Sequence, residues 1–170
     1  IGCEVRCDAA LKEDSLLAAI QEFNPTVLIV RSTKVDAAMI GASESLALIV
    51  RAGAGYDTID VSEASKKGVF VANCPGKNSI AVAELAWGLI LSCDRRIPNQ
   101  VMRLREGQWE KKAFSKTQGL YGRRLGIIGL GGIGKEVVKR AKAFGMEVIA
   151  WSRSMNDEKA NELGIQWTED

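Results

Sequence analysis

Three features of the 170-residue sequence predict an α/β fold built on two successive parallel sheets. Short β-type runs alternate with helical stretches, the pattern of strands joined by helical crossovers. The runs are continuously apolar, as in Val27, Leu28, Ile29 and Val30, which fits strands buried on both faces of a parallel sheet. After Arg95, Arg96 and Pro98 the alternation begins again, so a second unit is expected to follow the first.

In the first unit the strand-like runs are 26–31, 46–51 and 69–72, and the helical stretches are 12–23, 36–41 and 61–67. Gly41 and Gly68 fall where helices should stop. Strands and helices alternating in this way predict a flavodoxin-like lobe. Pro75 and Gly76 then lead into a long apolar helix, 79–94, with Ser79 as its cap. Ala81, Ala83 and Ala86 are small enough to let another helix pack closely on it. The junction is placed near residue 97, giving 1–96 as a first domain with its connecting helix and 97–170 as a second. There, Gly119 and Gly122 bound a turn, 124–129 reads as a strand, and 133–144 as a helix stopped by Gly145. A strand at 147–151 and a helix at 157–163, stopped by Gly164, complete the pattern. A mononucleotide-binding half needs a third strand. The sequence is expected to end before it, leaving the second domain truncated.

Composition narrows the function. Hydrophobic residues at 46% and charged residues at 26% are those of a folded domain and exclude a disordered or fibrous chain. The apolar runs 46–50 and 85–91 are cut by Arg51 and Ser92, well short of the roughly 20 residues of a membrane span. No signal peptide is visible, and no membrane partner is expected. A net charge of +2 requires no polyanion. The basic stretch 95–116 includes Glu106 and Glu110, as a solvated helical face does, and no nucleic-acid partner is expected. Cys3, Cys7, Cys74 and Cys93 form no CxxC pair and have no histidine to join them, so no metal site is expected. Reduced, mostly structural thiols suit a cytoplasmic protein. With no histidine, the commonest proton shuttle at neutral pH is missing from this chain.

Gly129, Gly131 and Gly134 form GxGxxG, a weak pattern alone but a specific one between a strand and a helix. The first glycine makes a tight turn, the second lets backbone approach a pyrophosphate, and the third lets helix and strand pack closely. Amides at the helix start, including those of Gly132 and Ile133, would face the phosphate charge. The second strand of such a unit usually ends on an acidic residue that binds the ribose 2′-hydroxyl. Here Trp151 is followed by Ser152, Arg153 and Ser154. An arginine fork and a serine hydroxyl suit a 2′-phosphate, so the choice between NAD and NADP tilts toward NADP. The alternative is an Arg153 that stacks on adenine in an enzyme that uses NAD.

Four blocks span nearly the whole chain: LIVRSTKV at 28–35, VRAGAGYDTIDV at 50–61, NCPGKNSIAVAEL at 73–85 and LGIIGLGGIGKEV at 125–137. In this order they resemble the D-isomer specific 2-hydroxyacid dehydrogenases, and most closely the branch that acts on 3-phosphoglycerate in serine biosynthesis. The resemblance implies an oxidoreductase that interconverts a small-molecule D-2-hydroxyacid and its 2-ketoacid with NAD or NADP. It places Arg31, Ser32 and Arg51 near the substrate, where two cations would suit a phosphorylated acid such as 3-phosphoglycerate. Gly53, Ala54 and Gly55 match the loop whose amides hold the substrate carboxylate. Ala54 and Asn78 are also implied on the cofactor side, with Ser79 beside them. A homodimer is expected from the family and from the apolar helix after Ser79.

The family's catalytic arginine, glutamate and histidine have no matching positions here, so no catalytic residue is assigned and the chain alone is expected to be inactive. Two alternatives stay open: a glyoxylate or hydroxypyruvate reductase, and a non-catalytic dinucleotide-binding or scaffold subunit.

Overall fold

The computed structural model describes residues 2–169. Two compact units are formed, Ile1–Lys77 and Asn78–Asp170. The first runs α1 (Glu13–Phe23), β1 (Val27–Val30), α2 (Ala37–Gly41), β2 (Leu48–Arg51), α3 (Val61–Lys66) and β3 (Phe70–Asn73). Its strands form one parallel sheet in the order β1-β2-β3, with Val27 opposite Leu48 and Leu48 opposite Phe70. Short helices hold because carboxylates cap them: Asp36 accepts from the Met39 amide at 3.1 Å and Asp60 from the Glu63 amide at 2.9 Å. Gly68, at φ +70°, follows α3 as expected. Helix α2 likewise stops at Gly41, although the capping residue is Ala42, in right-handed geometry.

Leu16, Ile20, Val35, Ile40 and Ile49 make the core of this unit. The apolar runs led us to expect strands buried on both faces. Instead one face is open, with Val27, Ile29 and Phe70 exposed at 47%, 68% and 77%. The helices cover only the side toward which Val30 and Ile49 point.

The second unit runs α4 (Ser79–Arg95), α5 (Ile97–Arg105), α6 (Lys111–Phe114), β4 (Arg124–Ile128), α7 (Gly132–Ala143), β5 (Glu147–Trp151), α8 (Asp157–Leu163) and β6 (Gln166–Trp167). Its parallel sheet has the order β4-β5-β6. The expectation that the sequence ends before a third strand is corrected: β6 pairs with β5, Ile149 opposite Gln166 and Ala150 opposite Trp167.

The boundary between the compact units lies at Lys77 and Asn78, whereas the sequence suggested a junction near 97. The reason is the buried face of α4. Ala83 is fully buried and Trp87 is 4% exposed, and the Trp87 ring stacks on Phe144 with centroids 4.8 Å apart. Residue 97 marks a bend within this unit, where Arg96 at φ 54° turns the chain from α4 into α5. Pro98 occupies the first turn of α5, where its missing amide costs nothing. No residue of α5 or α6 is buried, in keeping with a solvated basic stretch.

Among the described residues no helix is long and apolar enough to cross a membrane. The four cysteines are free; Cys3, Cys7 and Cys93 are exposed and Cys74 is half-buried.

Candidate functional site

Strand β4 ends at Ile128 and the chain bends at Gly129, whose φ of +93° is open to glycine and costly to other residues. The Gly129 amide donates to the Trp151 carbonyl at 2.7 Å, tying the bend to the end of β5. Gly131 precedes α7, and a Cβ there would meet nothing within 4 Å, so its backbone is open to a ligand. Gly134 is buried, and a Cβ on it would lie 2.6 Å from the Gly129 carbonyl oxygen. The glycine spacing therefore has its steric basis in the structure: one residue bends, one leaves space, and one lets helix approach strand.

No side chain caps α7. Among the described residues, nothing in the protein accepts from the amides of Gly132 and Ile133. Unpaired amides at the start of a 12-residue helix concentrate positive potential where an anion would sit. This fits a dinucleotide's bridging phosphates.

Helix α4 runs alongside α7 in the same direction. Ser79 lies at the start of one beside Gly132 at the start of the other, with its hydroxyl oxygen 2.9 Å from where a Gly132 Cβ would be. Further along, Arg140 donates to Glu84 at 3.2 Å and to Glu136 at 2.6 Å. The Glu136 hydrogen bond leads in holding the Arg140 guanidinium above its ordinary pKa, with Glu84 adding to it. The Trp87 indole donates to the Val137 carbonyl at 3.3 Å. These contacts fix Ser79 at the mouth of the glycine bend. The cap of α4 is Asn78, not Ser79 as expected, and its side chain makes no capping bond.

Ser152 and Arg153 follow β5 directly, and Trp151 is paired with Ile128 across the sheet. The sheet thus brings this turn beside the glycine bend. The Met155 amide closes the turn on the Ser152 carbonyl at 3.0 Å. Arg153 is exposed and, among the described residues, has no hydrogen bond or ion pair.

In the first unit Arg51 ends β2 opposite Val30, and Arg31 and Ser32 come directly after Val30. All three sit at the carboxyl ends of the parallel strands, where open α/β sheets bind ligands. The Arg51 side chain folds over Gly53, occupying the space a Cβ there would need. Its Nε is buried without a partner. The Gly53 carbonyl accepts from the Cys74 amide at 2.9 Å, and the Ala54 carbonyl from the Asn73 side chain at 2.8 Å. Gly55 is exposed beside Asp57. Asn73, which anchors the loop, went unnoticed in the sequence because its role depends on the β2–β3 register placing it opposite Arg51. No group of acidic, cysteine or histidine side chains among the described residues could hold a metal.

Comparison with known proteins agrees with this geometry. The chain is 45% identical over 168 residues to a D-3-phosphoglycerate dehydrogenase of Methanocaldococcus jannaschii, covering 98% of this chain and 32% of that protein. It is 51% identical over 142 residues to a hydroxypyruvate reductase of Thermotoga maritima, covering 83% of this chain and 45% of that protein. Among solved structures, an acyclic imino acid reductase in complex with NADPH and D-Arg matches with a TM-score of 0.76 at 27% identity. That match covers 92% of this chain and 49% of the other. The chain thus spans about a third to about a half of the length of these proteins. The D-isomer specific 2-hydroxyacid dehydrogenase catalytic domain matches residues 1–167, and the chain belongs to that family.

Proposed function

We propose that the chain provides the cofactor-binding start and the substrate anion site of an NADP(H)-dependent D-2-hydroxyacid dehydrogenase, with 3-phosphoglycerate as substrate. The observation that carries the cofactor reading is the open bend at 129–134, with unpaired amides of Gly132 and Ile133 beside an unengaged Arg153. When bound, the nicotinamide supplies or accepts the hydride exchanged with the hydroxyacid carbon. The chain's own residues hold the charges: Gly131, Gly132 and Ile133 the pyrophosphate, and Ser152 and Arg153 the 2′-phosphate, with Asn78 toward the nicotinamide side. No residue of this chain is assigned to proton transfer, and it contains no histidine. Calorimetric titration of the chain is expected to give tighter binding of NADPH than of NADH. Binding of neither would overturn the reading.

Arg31, Ser32, Arg51 and the loop 53–55 are proposed to hold the substrate's phosphate and carboxylate. The support is the Arg51 Nε, buried without a partner above Gly53. Arg51→Met is expected to weaken binding of 3-phosphoglycerate by about tenfold or more, the loss of a charge-assisted pair. D-glycerate, which lacks the phosphate, should lose less, and calorimetry with both acids checks this. Equal losses would move Arg51 to the carboxylate.

The 51% identity with a hydroxypyruvate reductase favours a second reading, in which the acid carries no phosphate. The same pair of titrations separates the two. A homodimer belongs to the proposal as well, because α4 leaves Ile80, Leu85 and Leu89 exposed at 55%, 65% and 58%. Sedimentation as a folded monomer would remove it.

A further inference from the structure

We propose that Lys159 is a specificity-determining residue for the cofactor's 2′-phosphate, a role that rests on the dinucleotide reading above. Lys159 lies in the first turns of α8, where its backbone amide donates to the Asn156 side chain at 3.0 Å. Its side chain is exposed. It returns across the turn that follows β5, and the ammonium donates to the Ser154 carbonyl. That turn is the one carrying Ser152 and Arg153, and the Gly129–Trp151 backbone bond ties its start to the glycine bend.

A lysine ammonium has three N–H groups. One is used on Ser154, which fixes the charge next to Arg153 and leaves two donors free. A phosphate monoester carries about −1.5 to −2 charge at neutral pH, which one exposed guanidinium compensates only in part. A second cation held at the same turn supplies the remainder. The neighbouring acid Asp157 is engaged elsewhere, accepting from the Trp167 indole at 2.7 Å. The uncharged ribose diol of NADH gains nothing comparable from a second cation. A role limited to tying down the Ser154 carbonyl would serve both nucleotides equally.

The test is calorimetric titration of the chain with NADPH and NADH, in the original sequence and in two variants. Lys159→Met is expected to weaken NADPH binding by about tenfold and NADH binding by less than about twofold. Lys159→Arg, which keeps the charge, is expected to hold NADPH within about threefold of the original. Equal losses for both nucleotides in Lys159→Met, or an unchanged NADPH affinity, would overturn the role of Lys159 while leaving the dinucleotide site standing. A chain that binds NADH and not NADPH would do the same. A chain that binds neither would overturn both.

Discussion

Valine in place of Gly134 is expected to abolish pyridine-nucleotide binding. Even its Cβ would lie 2.6 Å from the Gly129 carbonyl oxygen, which is backbone and cannot swing aside. The start of α7 would have to move off β4, and overpacking of this kind costs about 1–3 kcal/mol. The amides of Gly132 and Ile133 would move with it. A loss of affinity of about 100-fold or more is expected, with a lowered thermal midpoint. Gly131→Ala separates the two effects. Its Cβ meets nothing within 4 Å, and its φ of −81° suits alanine, so the fold should hold. A methyl group there would still occupy the space a pyrophosphate needs. Near-normal stability with at least about tenfold weaker NADPH binding is the expected outcome, from calorimetry and thermal melting of one preparation. Full affinity in Gly131→Ala would mean that the phosphates lie elsewhere.

The second large effect is on stability. Trp87→Ala is expected to destabilise the second unit by about 3–5 kcal/mol, the usual cost of removing a buried aromatic ring. Trp87 is 4% exposed, stacks on Phe144 at an interplanar angle of 14°, and hydrogen-bonds the Val137 carbonyl. Domains have total stabilities of about 5–15 kcal/mol, so this change consumes a large share. Trp87→Phe keeps most of the stack and loses the indole donor, and should cost less, about 1–2 kcal/mol. Urea unfolding followed by circular dichroism measures both. A cost under 1 kcal/mol for Trp87→Ala would mean that α4 is not held to α7 through this ring.

Much of this architecture was legible because local chemistry and tertiary structure agree. The strand at 147–151 and the helix at 157–163 stand where the sequence places them, between Gly145 at φ +67° and Gly164 at φ +57°. The glycine bend was legible for the same reason, since only glycine meets the demands at 129 and 134. What stayed hidden depends on partners distant in sequence. Strand β6 has two residues and no alternation of its own, and exists because β5 offers an unpaired edge. The packing of α4 with α7 rests on Trp87 and Phe144, 57 positions apart in numbering. The open face of the first sheet could not be inferred from Val27 and Ile29, because an apolar residue does not reveal whether a neighbour covers it. Lys159 reads as an ordinary solvated helix residue until its side chain is seen on the Ser154 carbonyl.

The most direct test of the central claim follows the backbone amides themselves. In a 15N-labelled sample of this 18.4 kDa chain, NADPH is added stepwise while amide resonances are recorded. The amides of Gly131, Gly132 and Ile133 are expected to shift together and saturate, with Arg153 and Ser154 following the same curve. Saturable shifts elsewhere, with those amides unmoved, would contradict the claim that the bend after Ile128 holds the cofactor's phosphates.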